Sequence, residues 1–342
     1  MPDPRAFLEN VWRGRNTRAR VTRALLTPLE KLYGVVVRAR GELYDAGVFS
    51  PEEFSVPVLS VGNLTVGGTG KTPVSAWVAG QLIERGITPG IVLRGYGGDE
   101  TLVHERLNPG IPVVVASDRS RGVRAAVAEG AGAIVLDDAF QHRRASRDAD
   151  IVLINADAWT GRVRLLPAGP WREPLHAARR ANLIIITRKT SELSAVQDLR
   201  SILARELPAV PIATVHLSPG ELHSTATGQT IPLQAIEGAD ITAIAAIAHP
   251  DAFFKQLTGI GAIVRPHNFA DHHAFTRAEA GRLAEAARES DFVVCTLKDA
   301  VKLDRLWPAE AGSLWYVSQR LRVEDGTQHI ARLLDDIANQ AR

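Results

Sequence analysis

Residues 60–73 read Ser60-Val61-Gly62-Asn63-Leu64-Thr65-Val66-Gly67-Gly68-Thr69-Gly70-Lys71-Thr72-Pro73. An apolar run precedes them and a helical stretch from about Thr72 to Arg85 follows, so the segment reads as a strand–turn–helix junction. Gly67, Gly68 and Gly70 let backbone N–H groups turn inward around a phosphate, and the start of the helix adds its partial positive charge. Lys71 is then placed to reach the β- and γ-phosphates, and the Thr72 hydroxyl to hold Mg²⁺. The phosphate-binding stretch Thr65, Val66, Gly67, Gly68, Thr69, Gly70, Lys71 and Thr72 departs from the pattern G-x-x-x-x-G-K-[ST] only at Thr65, where the pattern has glycine. Lysine is scarce in this arginine-rich chain, occurring only at Lys31, Lys71, Lys189, Lys255, Lys298 and Lys302. A lysine beside three glycines is therefore more telling than usual.

A second group of side chains closes another apolar run, Ile134-Val135-Leu136-Asp137-Asp138. Carboxylates at the C-terminal tip of a parallel strand lie where nucleotides bind in such sheets, and they suit Mg²⁺ directly or through water. Asp138 as the N-cap of a following helix is the alternative. Gln141 and His142 follow closely enough to face the same region.

The elements that must position these groups read as an α/β fold with a mostly parallel sheet. Apolar runs at Val56–Val61, Ile91–Leu93, Val113–Ala116, Ala133–Leu136, Ile151–Ile154 and Leu183–Thr187 lack polar alternation and are separated by helical stretches. That pattern belongs to strands covered on both faces. Residues 208–240 carry turn signals and read as a linker or hairpin. A second, smaller α/β unit follows, with strands at Ile241–Ile247, Ala262–Pro266, Phe292–Thr296 and Leu314–Val317 and a last helix over Asp325–Ala341. The expected division is a helical segment 1–47, a phosphate-loop domain 48–212, a linker 213–238 and a small domain 239–342.

Composition narrows the classes. The chain has 342 residues, 45% apolar and 23% charged, which is ordinary for a globular protein of about two domains. A net charge of +2 argues against coating nucleic acid through bulk charge. A single cysteine, Cys295, excludes an intramolecular disulfide and a cysteine-based zinc site, and fits a reducing compartment. No apolar run reaches the roughly 18 residues of a membrane span, and the N-terminus lacks the apolar core of a signal peptide. The charge is nonetheless uneven. Residues 11–40 hold eight bases and one acid, Glu30, with Val21, Leu25, Leu29, Leu32 and Val36 on one helical face. A basic amphipathic helix suits a membrane surface, and equally a helix packed on the main domain. Pro28 is expected to start a second helix.

Taken with Arg94-Gly95-Tyr96-Gly97, Leu136–Arg143 and Leu166-Pro167-Ala168-Gly169-Pro170-Trp171-Arg172-Glu173-Pro174, the loop at 60–73 resembles the tetraacyldisaccharide 4'-kinases of lipid A biosynthesis. Ala248-His249-Pro250 with Phe253-Phe254, Asp271-His272-His273 and Thr296–Leu303 extend the resemblance from about residue 20 to 320. It implies a P-loop NTPase-like core with ATP and Mg²⁺. The implied reaction phosphorylates the 4' hydroxyl of an acylated glucosamine disaccharide 1-phosphate lipid to give lipid IVA, at the cytoplasmic face of the bacterial inner membrane. A lipid substrate favours docking of the basic helix on the membrane, and no nucleic acid or obligate protein partner is called for.

By position, Asp99 in Gly98-Asp99-Glu100-Thr101 matches the family's Gly-Asp-Glu-Pro motif, and His272 the histidine of its Asp-His motif. The resemblance implies that the two, on different lobes, together activate the sugar hydroxyl, a poor nucleophile until its proton is taken. It also places Arg172, with Gln141 and His142, near the substrate phosphates, and Glu173 with Thr72, Asp137 and Asp138 near the metal. The residues alone leave His272 and His273 open to capping the helix near Thr276, lying in an exposed loop, or joining His267 at a metal. This chain has a shorter connection before Gly98-Asp99 than the family, and Thr101, Ala139, Ala248 and Leu297 depart from its pattern. The alternative class is a membrane-associated partitioning ATPase that switches partners as a dimer. Such proteins need a lysine where Val66 stands. A GTP-dependent metallochaperone would need clustered Cys and His ligands.

Overall fold

The computed structural model describes residues 8, 11–12, 14, 16–95, 98–247 and 250–342. Tyr96, Gly97, Ala248 and His249, from two of the runs above, lie outside them, as do Arg13 and Arg15 of the basic segment. In chain order the strands are β1 (Val58–Asn63), β2 (Pro89–Leu93), β3 (Val113–Val115), β4 (Ala133–Asp137), β5 (Ala149–Asn155), β6 (Leu183–Arg188), β7 (Ile212–Ser224), β8 (Thr230–Ile231), β9 (Asp240–Ala245), β10 (Ile263–Asn268), β11 (Phe292–Thr296) and β12 (Leu314–Asp325). The helices are α1 (Thr17–Asp45), α2 (Lys71–Glu84), α3 (Asp99–Leu107), α4 (Arg119–Ala128), α5 (Leu193–Glu206), α6 (Pro250–Gly259), α7 (Arg277–Ala286), α8 (Leu297–Leu303) and α9 (Thr327–Gln340).

The chain divides into two compact units. The first holds Met1–Arg94, Ala116–His216 and Val323–Arg342, and the second Gly95–Val115 and Leu217–Arg322. The first unit contains a parallel sheet in the order β7-β6-β5-β1-β4-β2. β1, β2 and β4 are buried at every residue, as their unbroken apolar runs require of strands covered on both faces. β1 lies between β4 and β5, with Val61 opposite Asp137 and Asn63 opposite Leu153. The turn leaving β1 therefore opens beside the tips of both neighbours.

The second unit contains β10, β9, β11 and β12 in parallel order, and β7 beyond Leu217 folds back on β8 with Leu222 opposite Ile231. Its core gathers Ile244, Ala246, Phe275, Cys295, Ala300, Leu303 and Leu314.

Two expectations change. The units interleave in sequence: α3 packs on α8 and belongs to the second unit, while α9 returns to the first. Asp99 and His272, expected on different lobes, thus lie in the same unit. In addition, α1 is one helix with Pro28 inside it. Proline removes one i→i−4 bond, but contacts on both sides of Pro28 anchor the continuous helix. Before it, the Arg23 guanidinium donates to Gly14 O (2.8 Å). After it, Glu30 accepts from Leu165 N–H (2.8 Å) and Tyr33 Oη donates to Arg172 O (2.9 Å). The opposite face of α1, with Val21, Leu25, Leu29, Leu32, Val35 and Val36, is exposed.

Candidate active site

In the first unit, the apolar run of β1 ends on a buried polar residue, Asn63. Its amide Nδ2 donates to Thr69 Oγ1 (2.8 Å), and its Oδ1 accepts from Lys71 Nζ (3.4 Å) and from an Arg172 Nη2. Its main-chain carbonyl accepts from Gln141 Nε2 (2.9 Å) and Arg172 Nη2 (3.1 Å). One residue thus joins the loop, its lysine, and the segments carrying Gln141 and Arg172.

The loop itself is held by its backbone. Val66 N–H donates to Pro170 O (2.8 Å), Asn155 Nδ2 to Gly68 O (3.2 Å) and Thr187 Oγ1 to Thr69 O (3.0 Å). Gly70, at φ +84°, is the N-cap of α2, a left-handed position that glycine occupies without strain. The first N–H groups of a helix have no intrahelical acceptor, so the start of α2 attracts an anion. A Cβ at Gly67 or Gly68 would meet nothing within 4 Å, so the loop is open on that side.

β4 ends on Asp137, which is buried and accepts from Ser75 Oγ (3.0 Å). Asp138 follows with φ +50°, and no helix begins there, so the capping alternative falls. The Asp138 carboxylate lies 3.8 Å from Lys71 Nζ and 2.7 Å from Arg172 Nη2. Burial pushes its pKa up, but Lys71 and then Arg172 outweigh burial and hold it below the usual carboxylate range. Thr72 and Glu173 are buried nearby in sequence terms, and Glu173 is paired with Arg180 at 2.9 Å. Arg180 in turn lies over the Phe140 ring, 4.4 Å from its centroid.

His142 is not drawn into this cluster. Its ring Nε2 is buried without a hydrogen-bond partner among the described residues, and burial followed by Arg119 pushes its pKa down.

The second unit brings Asp99 and His272 together across 173 residues of sequence. Asp99 is the first residue of α3 and is buried. His272 Nδ1 lies 3.0 Å from Asp99 Oδ2 and 3.2 Å from Oδ1. A carboxylate on Nδ1 fixes the tautomer that donates there, leaving Nε2 as the basic nitrogen. His272 has φ +59°; with Asp138 it is one of two non-glycine residues with positive φ among those described. Such strained backbone concentrates at functional sites. The capping alternative for the two histidines falls, because Thr276 caps α7 in a capping box with Glu279. Among the described residues no group of three His, Cys, Asp or Glu is arranged to hold a metal, which removes the His267 alternative.

Sequence reasoning passed over three residues. Asn63 was visible as a polar end to an apolar strand. Arg119, which donates to Ala116 O (2.7 Å) and reaches Asp137 O at 3.4 Å, is one buried arginine in an arginine-rich chain and gave no signal. Tyr33, bound to the Arg172 carbonyl, was equally hidden.

The family model that describes tetraacyldisaccharide-1-P 4'-kinase, LpxK, matches residues 22–101 and 97–338. The tetraacyldisaccharide 4'-kinase of Anaeromyxobacter sp. is 36% identical over 96% of both chains. That of Chlorobaculum parvum is 38% identical over 80% of this chain and 82% of its own. Among solved structures, LpxK from Aquifex aeolicus in complex with ATP superposes with a TM-score of 0.73 at 26% identity, covering 92% of this chain and 99% of that one. A phosphate loop on a parallel sheet, an acid-rich neighbouring strand tip and relatives matched along nearly their whole length leave one assignment: the chain belongs to the tetraacyldisaccharide 4'-kinase family.

Proposed function

We infer that in this ATP-dependent tetraacyldisaccharide 4'-kinase of lipid A biosynthesis His272 Nε2 takes the proton of the attacking 4' hydroxyl, with Asp99 holding the ring and stabilising its charge. The observation that carries this reading is the 3.0 Å contact between Nδ1 of His272, itself at φ +59°, and the buried Asp99 carboxylate. A base so oriented keeps one nitrogen for the substrate, and the imidazolium formed meets a negative neighbour at once.

The loop residues Thr65 to Thr72 bind the phosphates, through the N–H groups of the glycine turn and the start of α2. Mg-ATP held there would supply the γ-phosphoryl group, whose transfer spreads negative charge over its oxygens. Lys71, now shared between Asp138 and Asn63, stabilises that charge. The donor set fits Mg²⁺: the Thr72 hydroxyl and the carboxylates of Asp137, Asp138 and Glu173 are hard oxygen ligands. Arg172, gripped by Asp138 and Asn63, is the residue we assign to substrate phosphate, with Gln141 beside it on the Asn63 carbonyl; His142, outside this cluster, is assigned to the substrate by the family resemblance alone.

The lipid substrate comes from a membrane, and we place α1 on its surface. The exposed stripe of Val21, Leu25, Leu29, Leu32, Val35 and Val36 beside Arg18, Arg20, Lys31 and Arg38 supports that reading. No helix among the described residues is long and apolar enough to cross a membrane. On this reading α1 attaches the protein peripherally, at the cytoplasmic face, where ATP is available.

The test is incubation with γ-labelled ATP and a tetraacyl disaccharide 1-phosphate, with product mass as readout. A product heavier by one phosphoryl group, absent with Lys71→Ala, supports the reading. Wild-type-like turnover by Lys71→Ala refutes the role of the loop lysine.

A further inference from the structure

The run Thr296-Leu297-Lys298-Asp299-Ala300-Val301-Lys302-Leu303 finds no use in phosphate binding, yet it carries a buried ion pair. Asp299 is fully buried, and its Oδ1 lies 3.1 Å from Lys302 Nζ. The other carboxylate oxygen accepts from Thr296 Oγ1 (2.7 Å) and from the Ala246 N–H (3.1 Å). Burying two charges is costly, and a pair on a short surface helix contributes no stability that apolar side chains would not. What the pair holds is therefore the informative question.

It holds the backbone on both sides of His272. Ala246, whose N–H is bound by Asp299, accepts the His272 N–H through its own carbonyl (3.2 Å). Lys302 Nζ donates to the carbonyl of the next residue, His273 (3.2 Å), while lying 5.3 Å from the centroid of the Phe275 ring. The His273 ring is fixed as well, stacked on Phe269 and edge-on to Phe275 with centroids 5.0 Å apart in both cases. A non-glycine residue at φ +59° persists only where its surroundings over-determine it. These contacts supply that constraint, and it points the imidazole at Asp99.

We propose that Asp299 and Lys302 are positioning residues for catalysis: the ion pair ties down the backbone around His272, at Ala246, which accepts the His272 N–H, and at the His273 carbonyl, so that its ring stays on the Asp99 carboxylate. The proposal rests on the assignment of His272 as the base. It predicts that loosening the clamp slows the chemical step and leaves nucleotide binding alone, because the phosphate loop is held by other residues.

The experiment measures kcat and the KM for ATP in full-length protein carrying Lys302→Met, Lys302→Arg, His272→Ala, and the His272→Ala/Lys302→Met double change. Lys302→Met keeps the length and the contact with Phe275 but cannot donate. The expected result is a fall in kcat of about tenfold or more with the KM for ATP within about twofold, recovery with Lys302→Arg, and no further fall when Lys302→Met is added to His272→Ala. Should Lys302→Met fail to fold, the Asp299→Asn/Lys302→Met pair removes both charges and keeps an acceptor for the Ala246 N–H, and the same result is expected. An equal loss in the wild-type and His272→Ala backgrounds overturns the positioning role while leaving His272 as the base. Full activity in His272→Ala overturns the assignment of the base, and the proposal with it.

Discussion

Asp99→Asn tests the proposed proton-transfer pair with the smallest change of shape. The carboxylate is buried, and its nearer oxygen lies 3.0 Å from His272 Nδ1. At that distance and an effective dielectric of about 20, opposite unit charges attract by roughly 5–6 kcal/mol. The His272 side chain is 27% exposed, so solvent removes part of this, and about half is a reasonable remainder. Losing about 2.7 kcal/mol from a transition state in which the imidazole has become charged lowers kcat about 100-fold. If the new amide turns its NH₂ toward the ring, the wrong nitrogen of His272 carries the proton and the loss approaches about 10⁴. The amide leaves no unpaired buried charge, so the fold is retained and thermal melting verifies it. Steady-state assays over a range of ATP concentrations separate the two parameters. The reasoning is refuted if kcat falls less than about threefold, or if the loss appears entirely in the KM for ATP.

Arg172→Lys keeps a charge but cannot span Asp138 and Asn63 together; we expect kcat/KM for the lipid to fall about 10-fold or more, and an unchanged value in steady-state assays counts against a substrate role. Asp157 accepts from the N–H groups of Lys189 (2.7 Å), Thr190 (2.8 Å) and Ser191 (2.7 Å) and from two hydroxyls. Burial raises its pKa, but these bonds outweigh burial and depress it. Its stabilising contribution is therefore complete above the unfolded-chain value near 3.9 and is lost as pH falls through the lower folded value. Asp157→Ala should cost about 1–2 kcal/mol at neutral pH, with the difference in melting temperature closing below about pH 4; a gap independent of pH contradicts the account. Replacing Leu25, Leu29 and Leu32 by Ser removes roughly 1 kcal/mol of interfacial burial per residue, so vesicle sedimentation should weaken about 100-fold; unaltered sedimentation excludes α1 as the docking face.

What was legible in the residues is what short-range physics writes into them. Four consecutive buried apolar residues in β4 form a run with no polar relief, and the buried acid at its end stands out. The glycines and Lys71 stand out for the same reason, because each meets a local demand: a left-handed turn at Gly70 and a cation where α2 begins. Pro28 misled because the contacts that anchor α1 beyond it come from Leu165 and Arg172, far away in sequence. The partition of the chain was hidden for a related reason. Residues 95–115 follow β2 of the first unit without a linker signal, yet α3 packs on α8 of the second. Composition cannot mark a boundary that consists only of which helix a short segment meets. That segment carries Asp99, and so the division of labour between the units was misplaced together with the boundary. The Asp99–His272 contact inside one unit, proposed above as the catalytic base, has a consequence that an arrangement on two lobes lacks. Its geometry is set by the contacts of α3, α8 and the turn before Thr276, and nucleotide binding at the loop of the other unit is not needed to form it. The Asp99–His272 contact should then persist without ATP. Histidine NMR on the apo protein can detect this, since Nδ1 protonation should be the same before and after nucleotide is added, and a tautomer change on addition would mean that the pair forms only with ligand.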